Sequence, residues 1–443
     1  MTQSPAQVRL GEPSLTNTRR RTLALAAVGN VFEWYDFTIY GFLAPQIAAV
    51  FFPSVDPLAA LLSTFVIFFV GFLARPVGAL IFGSLSDKVG RKPVMLISML
   101  LMATGALIIG LAPGYAVAGS VGTLVVVVGR LIQGLSAGGE QGASGIFLVE
   151  WAGKNQRGFF GSFLNSAATT GVLLGALLTA ALNTGLGATA MAEWGWRIPF
   201  FVGALLALIV LFARRKVEET PVFREMKAAH EQVEASVAAS TGSRKRIGNG
   251  KAFVIALGLI ALWATTTSIA LTYMPTFAYS IVGVDGSGAL WATVLGAALT
   301  AGLIPLGGWI SDRVGRRPLF LFTAIGYLVL TIPLIGLIVT TKEFWSVLLF
   351  EFVMSFFSAA IGGAAIATIV EMFSGRRRGF MVTMTLALGV TIFGGLATYA
   401  CTWLISVTGQ PMAIVFWVMG LATITLVAAI FIPRDLHKRA LGE

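Results

Sequence analysis

The chain alternates between long apolar runs and short polar connections. Runs of about 20 apolar residues span a bilayer as a helix, and here they recur from end to end. Twelve are predicted, over 22–49, 59–85, 93–112, 119–148, 159–184, 198–213, 252–281, 289–310, 319–340, 345–370, 380–407 and 412–432. Several exceed the minimum length, which implies tilt or extension into the interface. Pro45 and the pair Gly394-Gly395 fall inside runs, where membrane helices tolerate them. The polar remainder divides the chain into a tail (1–21), six spans (22–213), a linker (214–251), six more spans (252–432) and a second tail (433–443).

The two sets of six spans carry matching motifs. "GSLSDKVGRKP" begins at Gly83 and "GWISDRVGRRP" at Gly308, an offset of 225. "EWAGKNQRGF" begins at Glu150 and "EMFSGRRRGF" at Glu371, an offset of 221. One such motif alone carries little weight. Two pairs at nearly one offset argue for two homologous halves. The predicted fold class is therefore an all-α membrane protein, with twelve transmembrane helices in two pseudo-symmetric halves related by an axis along the membrane normal.

Composition agrees with a membrane protein and removes a competing class. Only 12% of the 443 residues are charged, against about 25% in a soluble chain. The formal charge of +11 raises the question of nucleic acid. Its distribution answers it. Arg75 and Arg130 lie inside spans, Arg197 and Lys342 lie on the loops of one side, and the other Lys and Arg occupy the tails and the loops of the opposite side. That is the positive-inside pattern, and it places both termini in the cytoplasm. No nucleic-acid surface is implied. "TRRRTLAL" has a twin-arginine look, but no small-residue cleavage site precedes the acids that follow, so it does not read as an export signal. A single cysteine, Cys401, excludes a disulfide framework, and no metal-binding cluster is present in the sequence.

The motif loops resemble the signature loops of the major facilitator superfamily. "GNVFEWYDFTIYGF", "ARPVGALIFG", "GRLIQGLSAGGE", "WGWRIPFF" and "EETPVF" are similar to its metabolite:proton symporter family, the citrate, 2-oxoglutarate, shikimate and proline/betaine permeases of bacteria. The similarity extends over about residues 20–435 and is unspecific for the substrate. It implies a multi-pass protein of the bacterial inner membrane, monomeric, that needs no cofactor beyond the proton as coupling ion.

Charged residues within spans are costly and usually functional. Glu33, Asp36, Arg75, Arg130, Glu140 and Glu351 are the candidates away from span ends, and neither histidine is among them. A proton relay in the membrane would thus use carboxylates. Glu33 and Asp36 are three residues apart and share a helical face. In the related sugar:proton symporters an Asp of span one and an Arg of span four form the proton-linked pair. "YDFTIYG" and "GRLIQG" match those positions, which implies that Asp36 is the coupling acid, Arg130 its partner and Glu33 a secondary acid. Arg75 either pairs with Glu140 or meets a carboxylate, which suits its bidentate fork. Glu351, near the outer end of span ten, is expected to be structural or to line a vestibule. Asn165, Tyr273, Thr276, Tyr279 and Thr391 are candidate cavity-lining positions. "WGWRIPF" reads as an outer-interface anchor with Arg197 holding a loop.

The motif loops pair acids with basic residues on the cytoplasmic side. Asp87, Arg91, Glu150, Arg157, Asp312, Arg316, Glu371 and Arg378 are expected to form a cytoplasmic gate. Asp87 and Asp312 can bind the N-terminus of a neighbouring helix, or Arg157 and Arg378. Four acids against two arginines inside the spans do not make a strongly cationic cavity. The expected function is proton-coupled uptake of a small carboxylate-bearing metabolite, with a zwitterionic osmolyte as the alternative. A membrane sensor that has lost turnover is the less favoured reading from another class, since no soluble signalling domain is visible in the sequence.

Overall fold

The computed structural model describes residues 17–53, 56–89, 91–138, 140–153, 155–215, 248–374 and 378–439. Twelve long helical stretches follow one another among the described residues: α1 (Asn17–Phe42), α2 (Pro57–Val89), α3 (Arg91–Leu111), α4 (Ser120–Ala137, resuming as Glu140–Trp151), α5 (Arg157–Glu193) and α6 (Ile198–Arg215), then α7 (Asn249–Val282), α8 (Gly286–Val314), α9 (Arg316–Thr341), α10 (Phe344–Met372), α11 (Arg378–Thr408) and α12 (Ile414–Ile430). Eleven helices among the described residues are long and apolar enough to cross a membrane, and α1 precedes them. Among the described residues there is no strand. Most of the predicted linker, 216–247, lies outside them.

Some predicted spans change shape for visible reasons. The first run was expected to reach residue 49. It breaks at Leu43, and a short helix, Ala44–Phe51, starts with Pro45 in its first turn, where a missing N–H costs nothing. The fifth run continues well past residue 184, with a kink at Gly187, whose φ of 75° suits a residue without Cβ. Inside α7 and α11 the backbone widens to π geometry over Ile269–Tyr273, Phe277–Val282 and Val390–Gly395. Such bulges are frequent at functional sites.

Within each half the packing repeats. α2 packs on α4 as α8 packs on α10, α3 packs on α6 as α9 packs on α12, and α1 packs on α5 as α7 packs on α11. Across the halves, α5 lies along α8 and α10, while α2 meets α11 and α1 meets α7. The crossing of α5 and α8 is built from glycine. A Cβ on Gly308 of α8 would come to 2.5 Å from the Gly158 carbonyl oxygen of α5. Small residues let membrane helices approach, since lipid offers no hydrophobic drive to separate or join them.

The seam between the halves is held at both ends. Toward the face opposite the termini, the Trp291 indole donates to Thr184 at 3.3 Å and the Phe65 and Tyr273 rings meet edge-on at 5.5 Å. Toward the face bearing the termini, a charged network closes it. Near Trp194, the expected anchor takes shape: the Arg197 guanidinium covers the buried Trp196 ring at 4.2 Å and donates to the Ala112 carbonyl, 3.2 Å away.

Candidate functional site

α1, α2 and α4 bring the membrane-embedded charges together. Glu33, Asp36, Arg75 and Arg130 are each no more than 3% exposed. Asp36 and Arg130 do not form the direct ion pair that the sequence suggested. Gln133 stands between them. Its Nε2 donates to Asp36 Oδ2 at 2.6 Å, and its Oε1 accepts from Arg130 Nη1 at 3.0 Å. The same Nη1 donates to the Phe37 carbonyl at 3.3 Å. Asp36 Oδ1, Arg130 Nε and Arg130 Nη2 are buried without a hydrogen-bond partner. Gln133 was missed although a signal existed. It lies three residues after Arg130 and therefore on the same helical face.

Arg75 takes a partner other than Glu140, whose side chain lies outside the described residues. It lies 3.7 Å from Glu33 Oε1. It also rests on aromatic rings, with Phe37 at 4.0 Å, Phe72 at 4.9 Å and Trp34 at 5.2 Å. Arg130 does the same with Phe37 at 4.3 Å, Tyr40 at 4.8 Å and Phe68 at 5.2 Å. Phe37 thus serves two guanidinium groups. The negative face of an aromatic ring attracts a cation most strongly once water is excluded, so the rings compensate charge that the acids leave unmatched. Arg75 Nε and Nη2 make no hydrogen bond.

The other cavity candidates divide. Asn165 Nδ2 donates to the Gly362 carbonyl at 2.6 Å, and Thr391 Oγ1 donates to the Phe72 carbonyl at 2.9 Å. Both bonds cross between halves, so these side chains hold the seam here. Tyr273 accepts from Thr402 Oγ1 at 3.0 Å. Thr276 Oγ1 is buried without a partner. Tyr279 is 49% exposed and packs beside Gly286. Glu351 is buried within the second half rather than lining a vestibule.

At the face bearing the termini, Asp312 takes the helix-end option. Its carboxylate accepts from the backbone N–H groups of Gly158 at 2.7 Å and Phe159 at 2.8 Å, at the start of α5. It also pairs with Arg316 at 2.9 Å, and Arg316 forms a two-pronged contact with Glu371 at 3.0 and 2.9 Å. Arg157 lies 3.8 Å from Glu371, and Arg378 lies 3.3 Å from Glu150. Contacts from Asp312, Arg157 and Arg378 all join one half to the other. The side chains of Asp87 and Arg91 lie outside the described residues.

The tail enters this network, which no sequence signal indicated. Arg157 Nη1 donates to the Arg439 carbonyl at 2.8 Å, and Leu436 is buried. His437 packs beside Gly315, which has φ 94° and whose Cβ, if present, would come within 3.1 Å of the imidazole. Burial, and then the positive charge of Arg316, hold the His437 imidazole below its usual range; Lys438 adds to this, while Glu371 and Asp312 oppose it. A depressed base favours the docked tail when neutral. Docking is therefore full above the ordinary histidine range, near pH 6.5, and weakens as pH falls through the lower docked value. Protease accessibility of the tail should rise at acidic pH in the native protein and lose its pH dependence in His437→Gln.

The comparisons with known proteins follow this geometry. Residues 22–249 match the family model "Sugar (and other) transporter", and residues 281–442 match "Major Facilitator Superfamily". The chain belongs to the major facilitator superfamily. Among superfamily relatives, it is 34% identical to the alpha-ketoglutarate permease of Escherichia coli (strain K12), over 96% of each chain. It is 33% identical to the citrate-proton symporter of Salmonella typhi, over 90% of this chain and 91% of that one. It is 31% identical to the proline/betaine transporter of Escherichia coli (strain K12), over 96% and 85%. These relatives place it in the metabolite:proton symporter family of the superfamily. The fold matches the superfamily's proton:xylose symporter XylE with 6-bromo-6-deoxy-D-glucose bound, at a TM-score of 0.73 and 18% identity, over 95% of this chain and 97% of that one.

Proposed function

We propose that this chain is a proton-coupled secondary transporter that imports a small carboxylate-bearing metabolite by alternating access. The observation that carries the reading is the buried constellation of Asp36, Gln133, Arg130 and Arg75, with both guanidinium groups keeping unsatisfied N–H donors. Unsatisfied charged donors in a dry site are costly and suit a bidentate carboxylate. Asp36 is the proton-carrying acid, Arg130 its electrostatic partner through Gln133, and Glu33 a modulator through Arg75. Citrate-proton symporter and alpha-ketoglutarate permease are the names of relatives covered almost end to end, which supports an organic acid. The protein acts as a monomer in the bacterial inner membrane, both termini cytoplasmic, with protons and no other cofactor.

A second reading, uptake of a zwitterionic osmolyte, is favoured by the proline/betaine relative and by acids lying beside the same arginines. A screen of organic acids and betaines separates the two, since a ligand of the native state raises its apparent stability.

Carboxylate recognition has its own test. Arg130→Lys replaces a planar fork by a point charge. Charged hydrogen bonds are worth about 1.5–3 kcal/mol each, so binding should weaken by about tenfold or more. The amide of the same ligand should bind the native protein correspondingly weakly. Equal binding of acid and amide at fixed pH would end the carboxylate reading.

A further inference from the structure

The internal repeat pairs specific positions in the two halves. At the offset of 221 that relates Glu150 to Glu371, Arg130 corresponds to Glu351. At the offset of 225 that relates the signature loops, Gly71 corresponds to Gly296 and Phe68 to Thr293. The structure repeats these relations as contacts. Arg130 lies against Gly71, with a ring partner in Phe68. Glu351 lies against Gly296, with a hydrogen-bond partner in Thr293. Where the first half buries a base, the second buries an acid.

The surroundings of Glu351 differ in kind from those of Arg130. It is 1% exposed. Among the described residues no Lys, Arg or His pairs with it; α8 presents Thr293 and Gly296, and α9 presents the Tyr327 phenol, which is itself hydrogen-bonded to Ser358 at 2.9 Å. The Ser355 hydroxyl, one turn further along α10, accepts from Thr300 at 2.8 Å and has two backbone carbonyls in reach of its one hydrogen, Gly296 at 3.0 Å and Glu351 at 2.6 Å. Thr293 differs from Ser355 in that one of its two acceptors is a carboxyl group, which can itself carry a proton. Its hydroxyl oxygen lies 3.3 Å from the Ala289 carbonyl and 3.3 Å from Glu351 Oε1. A hydroxyl has one hydrogen, so it cannot donate to both. If Glu351 is ionised, one of two acceptors goes without, and a lone carboxylate is left in the membrane interior. If Glu351 carries a proton, its O–H donates to Thr293, and Thr293 donates to Ala289. Both contacts of the Thr293 hydroxyl are then hydrogen bonds at once.

We propose that Glu351 is a second, exchangeable proton-binding site, loaded in this closed form and located in the half that lacks Asp36. It is the pseudo-symmetric counterpart of Arg130. The seam between α8 and α10 is its acceptor and its insulation.

Infrared spectroscopy of the full-length protein in liposomes, without substrate or gradient, tests this separately from transport. At neutral pH the native protein should show a protonated-carboxyl stretch that is missing in Glu351→Gln and retained in Asp36→Asn. Raising the pH should remove it reversibly. Thr293→Val should shift the band, because the neutral acid loses its acceptor; this variant serves if Glu351→Gln fails to fold. A band that survives in Glu351→Gln, that stays in place in Thr293→Val, or that does not titrate overturns the proposal. A failure here leaves the transport reading intact, and a failure of transport leaves this site intact.

Discussion

Asp36→Asn should abolish accumulation driven by a pH gradient and spare exchange. One proton per substrate supports about tenfold accumulation for each unit of pH difference, since 1.4 kcal/mol is a factor of ten. The asparagine mimics the protonated acid and cannot release a proton. Gln133 can still reach it, because an amide oxygen accepts from Gln133 Nε2 as the carboxylate Oδ2 does at 2.6 Å. The relay to Arg130 therefore keeps its shape and loses its switch. Preloaded vesicles should exchange substrate with the medium at a substantial rate, because exchange does not require the proton to cycle. Concentrative uptake should fall to simple equilibration. Glu33→Gln should do less, since Arg75 keeps its three aromatic rings. Gln133→Leu should resemble Asp36→Asn in uptake while leaving the acid in place, because the contact between acid and base is carried by that amide. Sustained pH-driven accumulation by Asp36→Asn vesicles would make the acid structural and move the coupling site to Glu33 or Glu140.

Asp312→Ala should open the face bearing the termini. The carboxylate accepts two N–H groups from the start of α5 and pairs with Arg316. Hydrogen bonds to a charged group contribute about 1.5–3 kcal/mol each. Losing both should shift the population toward the form open at this face by about a hundredfold or more. The fold should survive, because in the open form the N–H groups of Gly158 and Phe159 reach water. In a Cys401→Ser background, a cysteine placed by Ser162→Cys is buried behind the closed network. Its labelling from the side of the termini should accelerate sharply with Asp312→Ala. An unchanged rate would reduce the motif acids and bases to determinants of topology.

Apolar run length and the spacing of the repeated motifs carried most of the architecture. A run long enough to span must form a helix there, because hydrocarbon leaves every backbone group to be satisfied within the segment. The motifs likewise named the residues of the charged network, since Asp312, Arg316 and Glu371 can bury their charges only by finding each other. The choice of partners was not legible. Whether Arg75 meets Glu33 or Glu140, and whether Asp36 touches Arg130 or reaches it through Gln133, depends on helix rotation and crossing distance of about an ångström. Asn165 and Thr391 look like cavity residues in the sequence. In the structure they bond to backbone carbonyls of the opposite half, Gly362 and Phe72. The docked tail at Leu436 and Arg439 left no trace in periodicity. The sequence by itself determined which segments lie in the membrane and which charges must be compensated. Only the tertiary structure decided what compensates them, because side-chain pairing is fixed by contacts between helices remote in the chain, and hydrophobic periodicity carries no record of those contacts.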